Sequence, residues 1–219
     1  KNLGVEESQL AMLKKLELRE TDYPALLERC RQRDILFMST PHSGQSSFEF
    51  LIRLGVPAMK FGSGELTNLP LLRSAARYGC PLILGTGMAT MQEVEEAATV
   101  LKQAGARDVV FLHCTSNYPC RISEVNLRAM RTMAETLKMA VGYSDHTLGI
   151  QVPVMAVSMG AVVIEKHFTI DRNLPGPDHV CSLEPHELKE MVSQIRKAEH
   201  ILGSDRKEPN GSEYATMAV

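Results

Sequence analysis

Short apolar runs rich in β-branched residues alternate along this chain with segments whose apolar residues recur every three or four positions. The runs are Ile35 to Thr40, Ala58 to Ser63, Pro81 to Thr86, Val109 to Thr115, Ala140 to Ser144 and Val162 to Thr169. A βαβα alternation of this kind predicts a parallel sheet covered by helices. After Thr90, the residues Met91, Val94, Ala97, Ala98 and Leu101 mark one buried helix face. Thr90 with Glu93 forms a capping box at its start, and Gly105 suits the position just past its end. Pro185 can open the last helix, Leu188, Met191, Val192, Ile195 and Leu202 line one of its faces, and Gly203 ends it. Helical segments are also predicted over Glu6 to Leu18, Asp22 to Arg33, Ser123 to Leu137 and Gly149 to Ser158. From Ser204 onward the text is polar and without period, which predicts a linker or tail over residues 204–219.

Six strand runs fit an open doubly wound sheet, or a (β/α)8 barrel short of two units. The 219 residues suffice for one α/β domain. Charge is nearly balanced, 24 Lys and Arg against 26 Asp and Glu, so no basic field calls for nucleic acid or an acidic membrane surface. No apolar run reaches membrane-spanning length. The five cysteines, Cys30, Cys80, Cys114, Cys120 and Cys181, match neither a zinc site nor a disulfide framework, which predicts a soluble protein of the reducing cytoplasm. Cys114, inside an apolar run, reads as a buried small hydrophobe. Lys1 stands first in place of Met, which leads to the expectation that the natural chain starts earlier.

Every run finishes in polar residues, and six polar endings over an apolar body are the pattern of a mouth at the carboxyl ends of parallel strands. Lys60, in MKFGSGE, reads as an anion site with Ser63 and glycine-exposed backbone N–H groups, with Glu65 as a candidate partner; the alternative is a lysine snorkelling from a sheet edge. His146 and His167 close consecutive runs, so they are neighbours in a parallel sheet. Paired imidazoles suit a divalent transition metal, and manganese, magnesium and zinc stay open. Strand alternation places His113 with Thr115, and Glu165 with His167, on shared faces whose orientation the sequence leaves open; inward is the expectation in a barrel. Asp178, in the rigid NLPGPDH loop, is placed to meet a substrate.

The blocks FMSTPHS, MKFGSGE, LGTGM, LHCTSNYP, VGYSDHTLGI, IEKHFT and NLPGPDHVCSLEP, in this order, resemble the sialic acid synthases that make N-acetylneuraminate and relatives such as legionaminate. The resemblance implies a (β/α)8 TIM barrel, with residues 1–203 as a partial barrel lacking its first two strands. Residues 204–219 would then lead toward an absent antifreeze-like domain. It implies a condensation of phosphoenolpyruvate with an N-acetylated amino sugar in its aldehyde form: C3 attacks the aldehyde, water adds at C2, and phosphate leaves by C–O cleavage. It implies a divalent metal, Mn2+ or Mg2+, on His146 and His167; phosphoenolpyruvate on Thr40, Lys60, Ser63 and Ser116; and the sugar on Glu65, Tyr118 and Asp178. The intact protein would be a homodimer. An essential glutamate of the family would lie in the missing strands, and Gly85 stands where many relatives have a serine. Two other readings stay open: a non-catalytic chain that keeps metal and anion sites, and another phosphoenolpyruvate-dependent synthase of keto-deoxy sugar acids on the same barrel.

Overall fold

The computed structural model describes residues 9–42 and 44–217. Its centre is a five-stranded, wholly parallel sheet whose strands lie side by side in chain order: β1 (Met59–Phe61), β2 (Leu82–Gly85), β3 (Val109–Cys114), β4 (Ala140–Asp145) and β5 (Ile164–Lys166). Helices connect them: α1 (Gln9–Leu16), α2 (Tyr23–Gln32) and α3 (Gln45–Leu54) precede β1, and α4 (Leu69–Tyr78), α5 (Met91–Gln103), α6 (Arg128–Leu137) and α7 (Gln151–Ser158) alternate with the later strands. α8 (Pro185–Leu202) packs on α7, and a short α9 (Tyr214–Met217) follows. Strictly sequential order with a helix at every crossover is the wall of a (β/α) barrel, left open on one side.

The local rules account for the elements. Thr90 accepts a bond from the Glu93 N–H at 3.3 Å while the Glu93 carboxylate takes the Thr90 N–H at 2.7 Å, the reciprocal cap the spacing predicts. Gly105 follows α5 at φ +93°, and Pro185 sits in the first turn of α8. The apolar stripes of α4 and α5 (Leu71, Leu72, Ala75; Val94, Ala97, Leu101) close over the outer face of the sheet. Gly142 on β4 is required by close approach. A Cβ there would stand 2.5 Å from the Val163 carbonyl oxygen and 2.6 Å from Leu112 Cδ2.

Three expectations change. Ile35 to Thr40 joins no ladder; Ile35 and Leu36 are 62% and 75% exposed, because no strand pairs with β1 on that side among the described residues. Its Phe37 still meets Tyr23 edge to face, which anchors the segment and delivers Thr40 to the mouth. On α8, Met191 and Ala198 are buried where the helix packs on α7, but Val192 and Leu202 of the predicted face are exposed. The tail is not wholly irregular: Gly211–Glu213 forms a 3-10 turn that leads into α9. Of the helix predicted over Glu6 to Leu18, α1 covers the middle, and Glu6 to Ser8 lie outside the described residues.

Candidate active site

The carboxyl ends of the strands surround a cavity of about 300 Å³ lined by Thr40, Lys60, Ser63, Cys114, Tyr118, Ser144, His146, Glu165 and His167, among others. One wall is cationic and hydroxylic. Lys60 Nζ donates to the Phe61 carbonyl at 3.0 Å and pairs with Glu165 at 3.3 Å, and Glu165 in turn accepts from the Ser144 hydroxyl at 2.7 Å. The partner of Lys60 is therefore Glu165 on the last strand, not Glu65, which turns instead to Asn68 Nδ2 at 2.7 Å and does not line the cavity. Curling of the sheet brings β1 and β5 across the mouth from each other, a proximity no local pattern carries.

Ser63 sits at the centre of this wall. Its hydroxyl accepts the Gly87 N–H at 2.8 Å and lies 3.3 Å from Cys114 Sγ. The two glycines of the GTG turn make room for it. A Cβ on Gly85 would stand 2.9 Å from Ser63 Oγ and 3.6 Å from Lys60 Nζ, and one on Gly87 would collide with Ser116 Oγ. Ser116 thus abuts the same glycine as Ser63, although it does not line the cavity itself. Cys114 is buried as predicted, but it is also part of the cavity wall.

The opposite wall is aromatic. The His146 and His167 rings lie 5.3 Å apart, and Tyr118 stands 4.1 Å from the first and 5.6 Å from the second, centroid to centroid. His146 Nδ1 meets the Thr115 carbonyl at 2.7 Å, and a carbonyl only accepts, so Nδ1 carries the proton and Nε2 the lone pair. Burial, reinforced by the neighbouring His167, holds the His146 pKa below the ordinary histidine value and keeps the ring neutral. Burial first, then nearby thiol and carboxylate groups, push the Tyr118 phenol up to about 12, so it stays a protonated donor. Asp178 reaches this wall, with its carboxylate 3.7 Å from His167 Nδ1. Among the described residues no group of three or more His, Cys, Asp or Glu side chains is gathered closely enough to hold an ion unaided.

His113 departs from the inward expectation. Its Nε2 donates to the Val125 carbonyl at 2.9 Å, and Thr115 Oγ1 donates to the Glu124 carbonyl at 3.1 Å, so both face the loop before α6. Beneath the histidines lies a pair that sequence reasoning did not single out: the Lys166 ammonium, 2% exposed, bonds Asp145 Oδ2 at 2.6 Å, and Asp145 is 0% exposed. The available signal was that Asp145 and Lys166, of opposite charge, end consecutive strands of a parallel sheet.

Known proteins resemble this chain in sequence and in fold. The chain is 50% identical to the N,N'-diacetyllegionaminic acid synthase of Legionella pneumophila and 45% identical to that of Campylobacter jejuni, over 100% of its own length in both cases. It is 37% identical to the human N-acetylneuraminate-9-phosphate synthase over 83% of its length. The chain spans 63%, 66% and 51% of those relatives, respectively. In three dimensions it matches the N-acetylneuraminic acid synthetase of Leptospira borgpetersenii, crystallised with citrate, at TM-score 0.91 and 34% identity, over 99% of this chain and 75% of that one. A truncated 3-deoxy-D-arabino-heptulosonate 7-phosphate synthase from Thermotoga maritima matches at TM-score 0.74 and 19% identity, over 85% of this chain and 74% of that one, a likeness of fold alone. The open parallel sheet is accordingly an incomplete (β/α)8 barrel. The family model described as the NeuB family matches residues 1–207, which take in the whole sheet, helices α1 to α8 and the mouth just described, and the chain belongs to that family.

Proposed function

We propose that this chain forms part of the catalytic barrel of a synthase that condenses phosphoenolpyruvate with an N-acetylated amino sugar aldehyde and releases phosphate. The observation that carries the reading is the convergence of Lys60, Ser63 and Thr40 with His146, His167 and Tyr118 on one cavity of about 300 Å³. Phosphoenolpyruvate is small and multiply anionic, so it needs a cation and several donors close together. Lys60 supplies the charge, the hydroxyls of Thr40 and Ser63 supply donors for phosphate and carboxylate, and Ser116, packed against Gly87 beside Ser63, belongs to the same reading. The Tyr118 phenol and the Asp178 carboxylate, at the far wall, orient the sugar. Glu65, whose carboxylate accepts from Asn68 in this structure, belongs to the same reading as a sugar contact.

The residues fit a divalent metal. His146 presents Nε2 as a neutral donor, His167 lies 5.3 Å away ring to ring, and nitrogen ligands suit manganese or zinc better than magnesium. When bound there, such an ion polarises the sugar carbonyl. Similarity to the two legionaminic acid synthases supports a diacetamido sugar as the acceptor. A homodimer and a cytoplasmic location belong to this proposal too; among the described residues no helix is long and apolar enough to cross a membrane.

The test is phosphate release and 2-keto acid formation by the whole protein that contains this barrel segment, from phosphoenolpyruvate, manganese and N-acetylmannosamine or its diacetamido analogues, beside calorimetry of phosphoenolpyruvate binding to the chain. Turnover supports the proposal. Binding of phosphoenolpyruvate and manganese without turnover supports a ligand-binding chain instead, and binding of neither overturns both.

A further inference from the structure

We propose that the buried Lys166–Asp145 ion pair is a positioning element that sets the separation of the His146 and His167 rings, and through it the affinity of the mouth for a divalent transition-metal ion. The inference rests on the metal reading above. The backbone ladder between β4 and β5 ends at Asp145↔Lys166, so the two histidines stand one residue beyond the last paired position. Each is tied to its outer neighbour. His146 donates from Nδ1 to the Thr115 carbonyl, its own carbonyl accepts the Cys120 N–H at 2.8 Å, and the His167 carbonyl accepts the Leu183 N–H at 2.8 Å. None of these bonds ties one histidine-bearing tip to the other.

Lys166 does. From the residue before His167, its ammonium donates to the Asp145 carboxylate and to the Thr147 carbonyl, the positions on either side of His146. Asp145 Oδ1 also accepts the Thr147 N–H at 3.1 Å and the Thr147 hydroxyl at 2.9 Å, which closes the turn around His146. Lys166 thus grips the His146 turn from both flanks. The second link between the tips, Ser144 to Glu165, lies one step back along the ladder and shares its carboxylate with Lys60. Buried ion pairs are often no more stabilising than apolar residues of the same volume, so fixing a geometry explains this one better than stability does.

The test measures Mn2+ affinity by electron paramagnetic resonance in the absence of substrate, on the chain and on three variants. Lys166→Met breaks the pair. The double variant Lys166→Met with Asp145→Asn removes both charges and keeps the volume, which guards against a Lys166→Met protein that does not fold. Leu101→Ala is a core variant destabilised away from the mouth. Affinity falling about 10- to 100-fold in the folded ion-pair variants, while Leu101→Ala binds as the parent does, supports the proposal. In crystals of the metal-free double variant the ring separation is expected to depart from 5.3 Å. Unchanged affinity or an unchanged ring separation in the folded double variant overturns the inference and leaves the metal reading intact. A parent chain that binds no manganese overturns the metal reading, and the inference with it.

Discussion

Gly142→Ala probes how tightly the wall beneath the histidines is built. The added methyl would stand 2.5 Å from the Val163 carbonyl oxygen, whereas ordinary contact begins near 3.4 Å, so strand and neighbour must separate by about 0.9 Å. That carbonyl accepts the Tyr143 N–H at 2.8 Å. The same displacement stretches the bond beyond hydrogen-bonding range, beside a Tyr143 side chain that is 1% exposed. Leu112 Cδ2, at 2.6 Å, blocks relief on the other side. Overpacking and a lost buried bond together destabilise by about 3 kcal/mol. For a chain of this size that lowers the melting temperature by about 6–12 °C in a circular-dichroism melt. Val163 directly precedes β5, so the variant also displaces His167 and, on the proposed metal reading, weakens manganese binding. A Gly142→Ala protein that melts with the parent would refute the packing argument.

Gly85→Ser displaces the Ser63 hydroxyl from the Gly87 N–H and costs about 1 kcal/mol; adding Ser63→Ala relieves the clash, so the double-mutant cycle in chemical denaturation shows coupling of about 0.5–3 kcal/mol. Additive effects would contradict the shared-space geometry. The pKa values of His113 and His146 are both lowered, chiefly by burial. The unfolded chain therefore binds protons first, and stability is full above the ordinary histidine value near 6.5 and falls as the pH drops through it toward the lower folded values. Urea titrations at neutral and mildly acid pH check this, and no change across that window would contradict it. Thr90→Ala removes one half of the α5 cap and costs about 1 kcal/mol, read as a fall in melting temperature of about 2–4 °C.

Local physics was legible where partners lie close in sequence. The Thr90–Glu93 box, the turn at Gly105, Pro185 at the start of α8 and the parallel alternation all follow from spacing. What spacing does not carry is which face of a doubly covered strand looks inward. That is why His113 turned out to face the loop before α6 and Cys114 the mouth. Nor does it carry contacts made by closure of the sheet. Lys60 finds Glu165 rather than Glu65 because the curl brings β1 opposite β5. Ile35 to Thr40 has the composition of a strand, but pairing needs a neighbour, and its apolar residues stay exposed without one. The neighbourhood of His146 and His167 was legible, because consecutive parallel strands lie side by side, and the rings meet as that argument requires.

In the proposed synthase one mouth holds both a divalent ion and a small multiply charged acid. Calorimetric titration of manganese and then phosphoenolpyruvate into the chain and three variants separates the two ligands. The account predicts that His146→Ala and His167→Ala each abolish manganese binding, and that Lys60→Met weakens phosphoenolpyruvate about 10- to 100-fold while leaving manganese untouched. Phosphoenolpyruvate binding that is indifferent to Lys60, or manganese binding that survives loss of either histidine, would contradict it.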